Sequence, residues 1–194
     1  MGYDAAPGIR YTLEHAVWKL FKINLFPLRK DRAFLEKQIF PALRNRLQDM
    51  GNVLSIGVEW HCRHYWRHFP YPMSYTTIDN DPAQGQSDLW HVNCAMEDLP
   101  VHFEYGYFSA AICNGVVGWG LNTKTQAARS FVALFDVMKK GGVLVLGYDT
   151  ASRTYDVVDA VLKAGFKQTE LDPLNEVEYI GDRTFFIYRF YVKP

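Results

Sequence analysis

The chain has 194 residues, with 21 basic and 21 acidic side chains, and apolar or aromatic residues make up 48% of it. This length and balance are typical of one globular domain and exclude a largely disordered chain. Because the net charge is zero, no overall excess of positive charge favours binding to nucleic acid. We therefore expect one domain that spans residues 1–194.

The cysteines and the hydropathy pattern bear on the compartment. Cys62, Cys94 and Cys113 are odd in number and lie in segments predicted to be interior, which argues against a disulfide framework and indicates a reducing environment. No apolar run approaches the roughly 20 residues that span a bilayer, and the N terminus shows no signal pattern. These features predict a cytoplasmic protein that has no membrane partner.

The first part of the chain is predicted to form an amphipathic helix within residues 11–27. Pro27 lies just beyond the periodic pattern, where it would stop a helix. The apolar positions recur at helical spacing, and they are Leu13, Ala16, Val17, Leu20 and Phe21.

A second helical stretch is predicted to follow between residues 31 and 51. It begins with Asp31, a residue suited to the N-cap, and it stops at Gly51 as a C-terminal glycine dictates. Pro41 lies midway, so we expect a kink or a break there. We interpret residues 1–50 as a helical lid or cap that precedes a core of residues 51–194.

After Gly51 the pattern changes to strands that alternate with helices. A helix is expected between the first two strands, and two more at residues 123–142 and 154–166. The strand-like runs cover residues 52–57, 75–79, 89–94, 108–115, 142–149, 166–173 and 183–194.

This alternation predicts the fold class. Residues 143–147 are apolar on both sides of the pleat, as in a central strand of a parallel sheet covered on both faces. The last two runs are joined by a loop that contains Gly181 and no helix, so they should pair antiparallel. We predict an α/β fold whose doubly wound, mostly parallel sheet has seven strands, ends in an antiparallel hairpin and follows N-terminal helices.

The first β-α turn is the predicted ligand position, because open α/β sheets bind ligands beyond the carboxyl ends of their strands. Gly57 in this turn would let the backbone pass close to a ligand. Asp79 follows about 20 residues later at the end of the second strand, where a carboxylate can accept hydrogen bonds from both ribose hydroxyls. Turn formation alone is the competing explanation for Asp79.

The order of these segments resembles the class I S-adenosylmethionine-dependent methyltransferases. The family has a glycine-rich turn after its first strand, an acidic residue for the ribose at the end of its second strand and a segment after its third strand that cups the adenine. In this chain, those places would be taken by "VLSIG", "TIDND" and "NCAMEDLP". "AAICNGVVGWG" and "MKKGGVLVLG" would be the fourth strand end near the reacting centre and the double glycine before the fifth strand. The resemblance covers about three quarters of the chain and implies S-adenosyl-L-methionine as cofactor.

The resemblance implies a set of cofactor-binding residues, but the glycine turn departs from the family pattern. Ser55 stands where most members have an acidic residue, and Glu59 stands at the second glycine. Glu59 would either narrow the space for the methionine half of the cofactor or bind its α-amino group. For Ala95 and Met96, packing beneath a loop competes with adenine contact. The implied set is Gly57, Glu59, Asp79, Asn80, Ala95, Met96 and Asn114.

The segment "HCRHYWRH" supplies the candidate catalytic residues. His61 or His64 could accept a proton from the acceptor or orient it, because an imidazole titrates near neutral pH. His64 and His68 would share one face of a helix, as metal ligands can. We nevertheless expect no metal, since no acidic or cysteine partner lies at a recognised spacing.

Aromatic and polar residues at the same edge are candidates for substrate contact. Core packing is the alternative for the aromatic ones, and capping of the next helix, together with Thr150, is the alternative for Asp149. The candidate substrate-binding residues are Trp60, Tyr65, Trp119, Tyr148 and Asp149.

These observations predict methyl transfer to a small-molecule acceptor, in which alignment of acceptor and methyl group dominates. One alternative is a non-catalytic binding or interaction module that retains the fold. A macromolecule methyltransferase is the other, with the mildly basic N-terminal part as a docking face. Against it, no aromatic-proline motif follows the fourth strand, where "NGVVGWG" stands. A homodimer is left open.

We expect the N-terminal helices to determine acceptor specificity, because in the resembled family they commonly cover the carboxyl edge of the sheet. They carry aromatic side chains beyond the needs of a core, and packing on the sheet or on a partner subunit is the alternative explanation. These aromatic residues are Tyr11, Trp18, Phe21 and Phe26.

Overall fold

The computed structural model describes residues 9–21, 25, 29–84, 90–151, 155–180 and 186–194. Pro27, Phe26 and Gly181, which figure in the sequence predictions, lie outside these residues, as does the side chain of Tyr11. The strands are β1 (Asn52–Ile56), β2 (Ser74–Asp79), β3 (Trp90–Asn93), β4 (Phe108–Asn114), β5 (Met138–Asp149), β6 (Lys167–Gln168), β7 (Val177–Ile180) and β8 (Phe186–Val192).

Helices and shorter helical turns connect these strands. The α-helices are α1 (Ile9–Phe21), α2 (Lys30–Phe34), α3 (Phe40–Leu47), α4 (Leu99–His102), α5 (Lys124–Val137) and α6 (Val157–Lys163). A π-helical turn covers Leu35–Ile39, and 3₁₀ turns cover Trp60–Cys62, Tyr65–His68, Pro82–Gln84 and Met96–Asp98.

All the strands belong to one sheet of order β3-β2-β1-β4-β5-β8-β6, with β7 also paired to β8. Strands β1 to β5 run parallel, and β8 runs antiparallel to β5. The strand order reverses between β1 and β4, which makes their carboxyl ends the topological switch point. The predicted α/β fold with a C-terminal antiparallel pair is confirmed.

Among the described residues there are eight strands rather than the predicted seven, because the sixth strand is interrupted. β6 pairs with the end of β8, where Lys167 lies opposite Val192. β7 pairs further along the same edge, where Val177 lies opposite Arg189. Between them, Thr169 and Glu176 still form backbone hydrogen bonds with Phe190 of β8, and residues 170–175 lie outside the ladder. Two short strands therefore occupy one position of the sheet.

The sheet has a hydrophobic core on each face. On one face, α4, α5 and α6 contribute buried side chains such as Leu99, Phe131 and Val161. On the other face, the π-helical turn and α3 contribute Leu35 and Phe40, among others. Both faces are therefore covered, as the apolar run of β5 predicted.

The second N-terminal stretch continues through Pro41, with a π-helical turn before it in place of the predicted kink or break. Because Pro41 has no N–H to donate, the helical ladder is interrupted here, and the N–H of Phe40 donates to the carbonyl of Leu35 in a π-helical turn. The helix begins after Arg29 rather than at Asp31. It ends at Gln48, whose left-handed φ of 54° closes it before Gly51.

Helix α1 does not bury the apolar face that its periodicity predicted. Leu20 is 76% exposed and Phe21 is 68% exposed, whereas Glu14 is buried. The Glu14 carboxylate accepts a hydrogen bond from Nε of Arg29 at 3.1 Å. The polar side of α1 therefore faces the protein, because an ion pair and ring contacts hold it there.

The prediction of a helix between β1 and β2 is wrong. Two 3₁₀ turns connect these strands instead, at Trp60–Cys62 and Tyr65–His68. Tryptophan, histidine, tyrosine and cysteine are weak helix formers, and the rings of Tyr65 and Phe69 pack at 5.1 and 5.2 Å from that of Phe40. Tertiary packing thus fixes this connection in place of local helical bonding.

The two later helices are confirmed, and each has a side-chain cap. Thr123 accepts a hydrogen bond from the N–H of Gln126 before α5, and Asp156 accepts one from the N–H of Val158 before α6. No helix in the described part of the chain combines the length and the apolar character needed to cross a bilayer.

Candidate functional site

The first β-α turn lies at the switch point, where Gly57 follows β1. Its φ is +78°, and a β-carbon at this position would lie 2.9 Å from Cγ2 of Val116, which follows β4. The N–H of Gly57 donates to the carbonyl of Ile78 at 3.0 Å. Both the conformation and the close approach require glycine here, which accounts for the one glycine of the turn that this chain retains.

Asp79 lies beside that turn at the end of β2. Its Oδ2 accepts a hydrogen bond from the N–H of Val58 at 2.8 Å, and its Oδ1 accepts one from the N–H of Asp81 at 2.8 Å. The carboxylate therefore stabilises the turns on either side of it. Each oxygen has a further lone pair, so the carboxylate can also accept a hydrogen bond from a ligand. Asn80 is exposed next to it.

Asn114 ends β4 on the other side of the switch point. Both polar atoms of its amide are buried, and neither has a hydrogen-bond partner within the described residues. A β-carbon on the neighbouring Gly147 would come within 2.2 Å of its Oδ1, which again requires glycine. A buried amide without partners costs free energy. This side chain is therefore suited to hydrogen bonding with a ligand.

Arg32 from α2 reaches the same edge, and the sequence analysis did not single it out. Its Nη1 donates to the hydroxyl of Tyr65 at 3.5 Å, and a β-carbon at Gly115, just after β4, would lie 3.4 Å from Nη2. Burial opposes the charged form, but Tyr65, Cys62 and Asp31 favour it and the pKa of Arg32 is raised. A permanent positive charge therefore lies beside the switch point. In the sequence, nothing distinguishes this arginine from the others of the same stretch.

Helix α1 covers the turn that follows β1. The ring of the buried Trp60 lies 5.3 Å from the ring of His15 and 5.2 Å from that of Trp18. The guanidinium of Arg63 lies 5.8 Å from the Trp18 ring. Glu59 is exposed beside this stack. The aromatic contacts place α1 against the altered glycine turn, and its role as a lid stays a prediction.

His61 lies buried in the same turn. Burial lowers the pKa of His61, and the positive charges of Arg32, Arg29 and His64 lower it further, to about 2. A general base works best with a pKa near the operating pH. A pKa this low does not favour the predicted role of His61 as a proton acceptor. The imidazole is therefore neutral near pH 7.

His64 and His68 both contact Glu36 of the π-helical turn. The carboxylate Oε2 lies 2.9 Å from Nε2 of His64 and 3.3 Å from Nε2 of His68. Burial raises the pKa of Glu36, but the hydrogen bonds with both imidazoles outweigh burial and lower it to about 2. The two histidines therefore share a side, as predicted, although they lie on a 3₁₀ turn and the residue before it.

Ala95 and Met96 follow β3 next to the end of β2. The N–H of Cys94 donates to the carbonyl of Asp79 at 3.0 Å, which holds this segment beside the predicted ribose position. Ala95 precedes a 3₁₀ turn, and the Met96 side chain is buried in the core. The structure brings the segment to the expected edge, and its adenine contact stays a prediction.

The predicted substrate-binding residues differ in their exposure and contacts. Trp119 is exposed and Tyr65 is buried. Tyr148 lies within the core, and its hydroxyl accepts a hydrogen bond from Nε of Arg189 at 3.2 Å. The Asp149 carboxylate accepts one from the N–H of Ala151 at 2.8 Å, which closes a turn. Because α6 is capped by a different aspartate, the alternative that Asp149 caps that helix is wrong.

No known protein family model matches this chain. No curated protein matches it in sequence either.

Solved structures resemble it at low sequence identity. The N-methyltransferase NodS from Bradyrhizobium japonicum, solved in complex with S-adenosyl-L-homocysteine, is 15% identical with a TM-score of 0.62. The match covers 91% of this chain and 92% of NodS.

Two further structures show the same architecture. A TehB-like S-adenosylmethionine-dependent methyltransferase from Corynebacterium glutamicum is 11% identical with a TM-score of 0.57, over 79% of this chain and 88% of that one. The [4+2]-cyclase SpnF is 12% identical with a TM-score of 0.61, over 81% of each chain. The chain therefore has the class I, Rossmann-like fold of the S-adenosylmethionine-dependent methyltransferases.

Proposed function

We propose that this protein transfers a methyl group from S-adenosyl-L-methionine to a small-molecule acceptor. The observation that carries the proposal is the buried amide of Asn114 at the switch point, which has no partner within the described residues. Ligands of open α/β sheets bind at this point. NodS, whose fold this chain shares, was solved with S-adenosyl-L-homocysteine.

The residues at the switch point fit this cofactor. Gly57 brings the backbone of the first turn close to β4, and Asp79 holds a carboxylate beside that turn. We propose that Asp79 and Asn80 bind the ribose, the backbone at Ala95 and Met96 binds the adenine, and Asn114 binds near the methionine half. When bound, the cofactor supplies an electrophilic methyl group.

We propose that the charged side chains of Glu59 and Arg32 lie near the methionine half of the cofactor. Glu59 is exposed in the first turn, where its carboxylate would attract the α-amino group. Arg32 presents a buried guanidinium beside Gly115, where it would attract a carboxylate of the cofactor or the acceptor. Charges of both signs at one edge suit an amino acid moiety, which has an ammonium and a carboxylate.

The cover over this edge favours a small acceptor. Trp60 is buried beneath His15 and Trp18 of α1, and Arg32 of α2 reaches the end of β4. We propose that the acceptor enters between this cover and the sheet, with Tyr65 and Trp119 among its contacts. Alignment of acceptor and methyl group would then supply most of the rate enhancement, since the pKa of His61 does not suit proton abstraction.

Isothermal titration with S-adenosyl-L-methionine and S-adenosyl-L-homocysteine tests the proposal. We expect one binding site per chain, and no heat of binding at millimolar ligand would refute it. Asn114→Leu is the sharpest variant, because the amide makes no hydrogen bond within the described residues that the variant would break. Loss of one or two ligand hydrogen bonds should weaken binding by roughly 2- to 100-fold, while the free energy of unfolding does not fall.

A second candidate is a non-catalytic module that keeps the fold, since one fold carries many functions. Glu59 and the covered Trp60 in the glycine turn favour it. The same titration separates the two candidates. A folded protein that binds neither form of the cofactor would be such a module, whereas one that binds both supports the enzyme.

A further inference from the structure

Glu36, His64 and His68 form a cluster outside the proposed cofactor site. All three side chains are partly exposed, at 11% for Glu36, 25% for His64 and 30% for His68. The carboxylate oxygen and the ring nitrogens of the cluster all lie within 4.8 Å of one another. From the sequence we expected no metal, because no acidic or cysteine partner lies at a recognised spacing from the histidines. In the fold, that acidic partner is Glu36, which lies 28 residues before His64 in the sequence.

The spacing within the cluster suits a small ion. Ligands of a tetrahedral Zn²⁺ lie about 2.0 to 2.2 Å from the metal, so their separations are roughly 3.4 Å. In the cluster, Nε2 of His64 and Nε2 of His68 lie 2.9 and 3.3 Å from Oε2 of Glu36. Small shifts of the side chains would therefore admit an ion between the three atoms.

A second observation at this cluster points to a ligand. Oε1 of Glu36 is buried and has no hydrogen-bond partner within the described residues. An unpaired carboxylate oxygen in such a position is costly. Glu36 also lies on a π-helical turn, a distortion that recurs at functional sites. A bound cation would neutralise this carboxylate and give its second oxygen a partner.

We propose that Glu36, His64 and His68 bind a divalent transition-metal ion of the Zn²⁺ type, with water in the remaining position. Two imidazoles select such an ion over Mg²⁺ and Ca²⁺, which prefer oxygen ligands. The ion joins the N-terminal helical stretch to the connection between β1 and β2. It therefore stabilises the attachment of the cap to the core.

Metal titration of the full-length protein tests this site. After dialysis against a chelator, Co²⁺ should bind at one ion per chain and produce visible absorption, and Zn²⁺ should displace it. Zn²⁺ at one hundred times its Kd should raise the Tm by about 5 to 11 °C. Mg²⁺ at the same concentration should not. Absence of Co²⁺ and Zn²⁺ binding at millimolar metal would overturn the proposal.

Variants locate the ion. Glu36→Gln and His68→Gln should each weaken Zn²⁺ binding by more than about 100-fold, because each removes a ligand. His102→Gln is the matched control, since His102 is exposed on α4, and its affinity should equal that of the wild type. Unchanged affinity in both cluster variants would place the ion elsewhere and overturn the assignment.

X-ray absorption on the wild-type Zn²⁺ complex gives a result that needs no variant. Only nitrogen and oxygen ligands at about 2.0 to 2.2 Å are expected, and a sulfur at about 2.3 Å would show a cysteine site instead and refute the cluster. Titration of the same samples with S-adenosyl-L-homocysteine separates the two proposals. Cofactor binding without metal binding overturns only the metal site, and the reverse overturns only the proposed function.

Discussion

His61 should make the stability of this protein depend on pH. Burial, and then the charges of Arg32, Arg29 and His64, lower the pKa of His61 to about 2, from 6.5 in an exposed histidine. The unfolded chain therefore binds a proton below pH 6.5, whereas the folded protein does not. Stability from the neutral imidazole is complete above pH 6.5 and is lost as the pH falls towards 2.

The magnitude follows from the width of this pH window. Each pH unit between the two pKa values changes the free energy of unfolding by about 1.4 kcal/mol. Lowering the pH from 6.5 to 5 spans about 1.5 units, so it should remove about 2 kcal/mol. This loss is a substantial part of the roughly 5 to 15 kcal/mol that stabilises a typical domain.

Urea unfolding at pH 7.5 and pH 5 measures this loss in the wild type and in His61→Gln. The variant lacks the titrating ring, so the wild type should lose about 2 kcal/mol more than the variant between the two pH values. Any packing cost of glutamine enters at both pH values and cancels in this comparison. His102→Gln, at an exposed position, should follow the wild type. Equal losses in the wild type and His61→Gln would refute the burial argument.

Three further results are expected. Asp79→Ala should weaken S-adenosyl-L-homocysteine binding by about 1.5 to 3 kcal/mol in a calorimetric titration. It should also lower the Tm, because the N–H of Val58 loses its acceptor. Unchanged affinity would remove Asp79 from the site. Gly57→Ala should cost at least about 1 to 2 kcal/mol in urea unfolding, because φ is +78° and the new methyl group would meet Val116; wild-type stability would contradict this contact. Removal of residues 1–26 should leave a folded protein that binds S-adenosyl-L-homocysteine without methylating its acceptor, and global unfolding or undiminished activity would count against a lid.

Local patterns in the sequence determine most of the core fold. The apolar run of β5 and the alternation of strands with helices predict a doubly wound parallel sheet, because each element shows its own period. In such a sheet the carboxyl ends of neighbouring strands meet at one edge. The sequence therefore predicts that Gly57, Asp79 and Asn114 converge, since each directly follows or ends a strand.

Only the tertiary structure decides which distant side chains meet. Glu36 contacts His64 and His68 from 28 and 32 residues away, and the guanidinium of Arg32 is buried beside Gly115. The length of the segment between β1 and β2 predicted a helix there, and helical periodicity predicted an inward apolar face on α1. Both predictions were wrong. Periodicity describes contacts within one element, whereas packing between elements is set by shape, charge and ring contacts that a single segment does not encode.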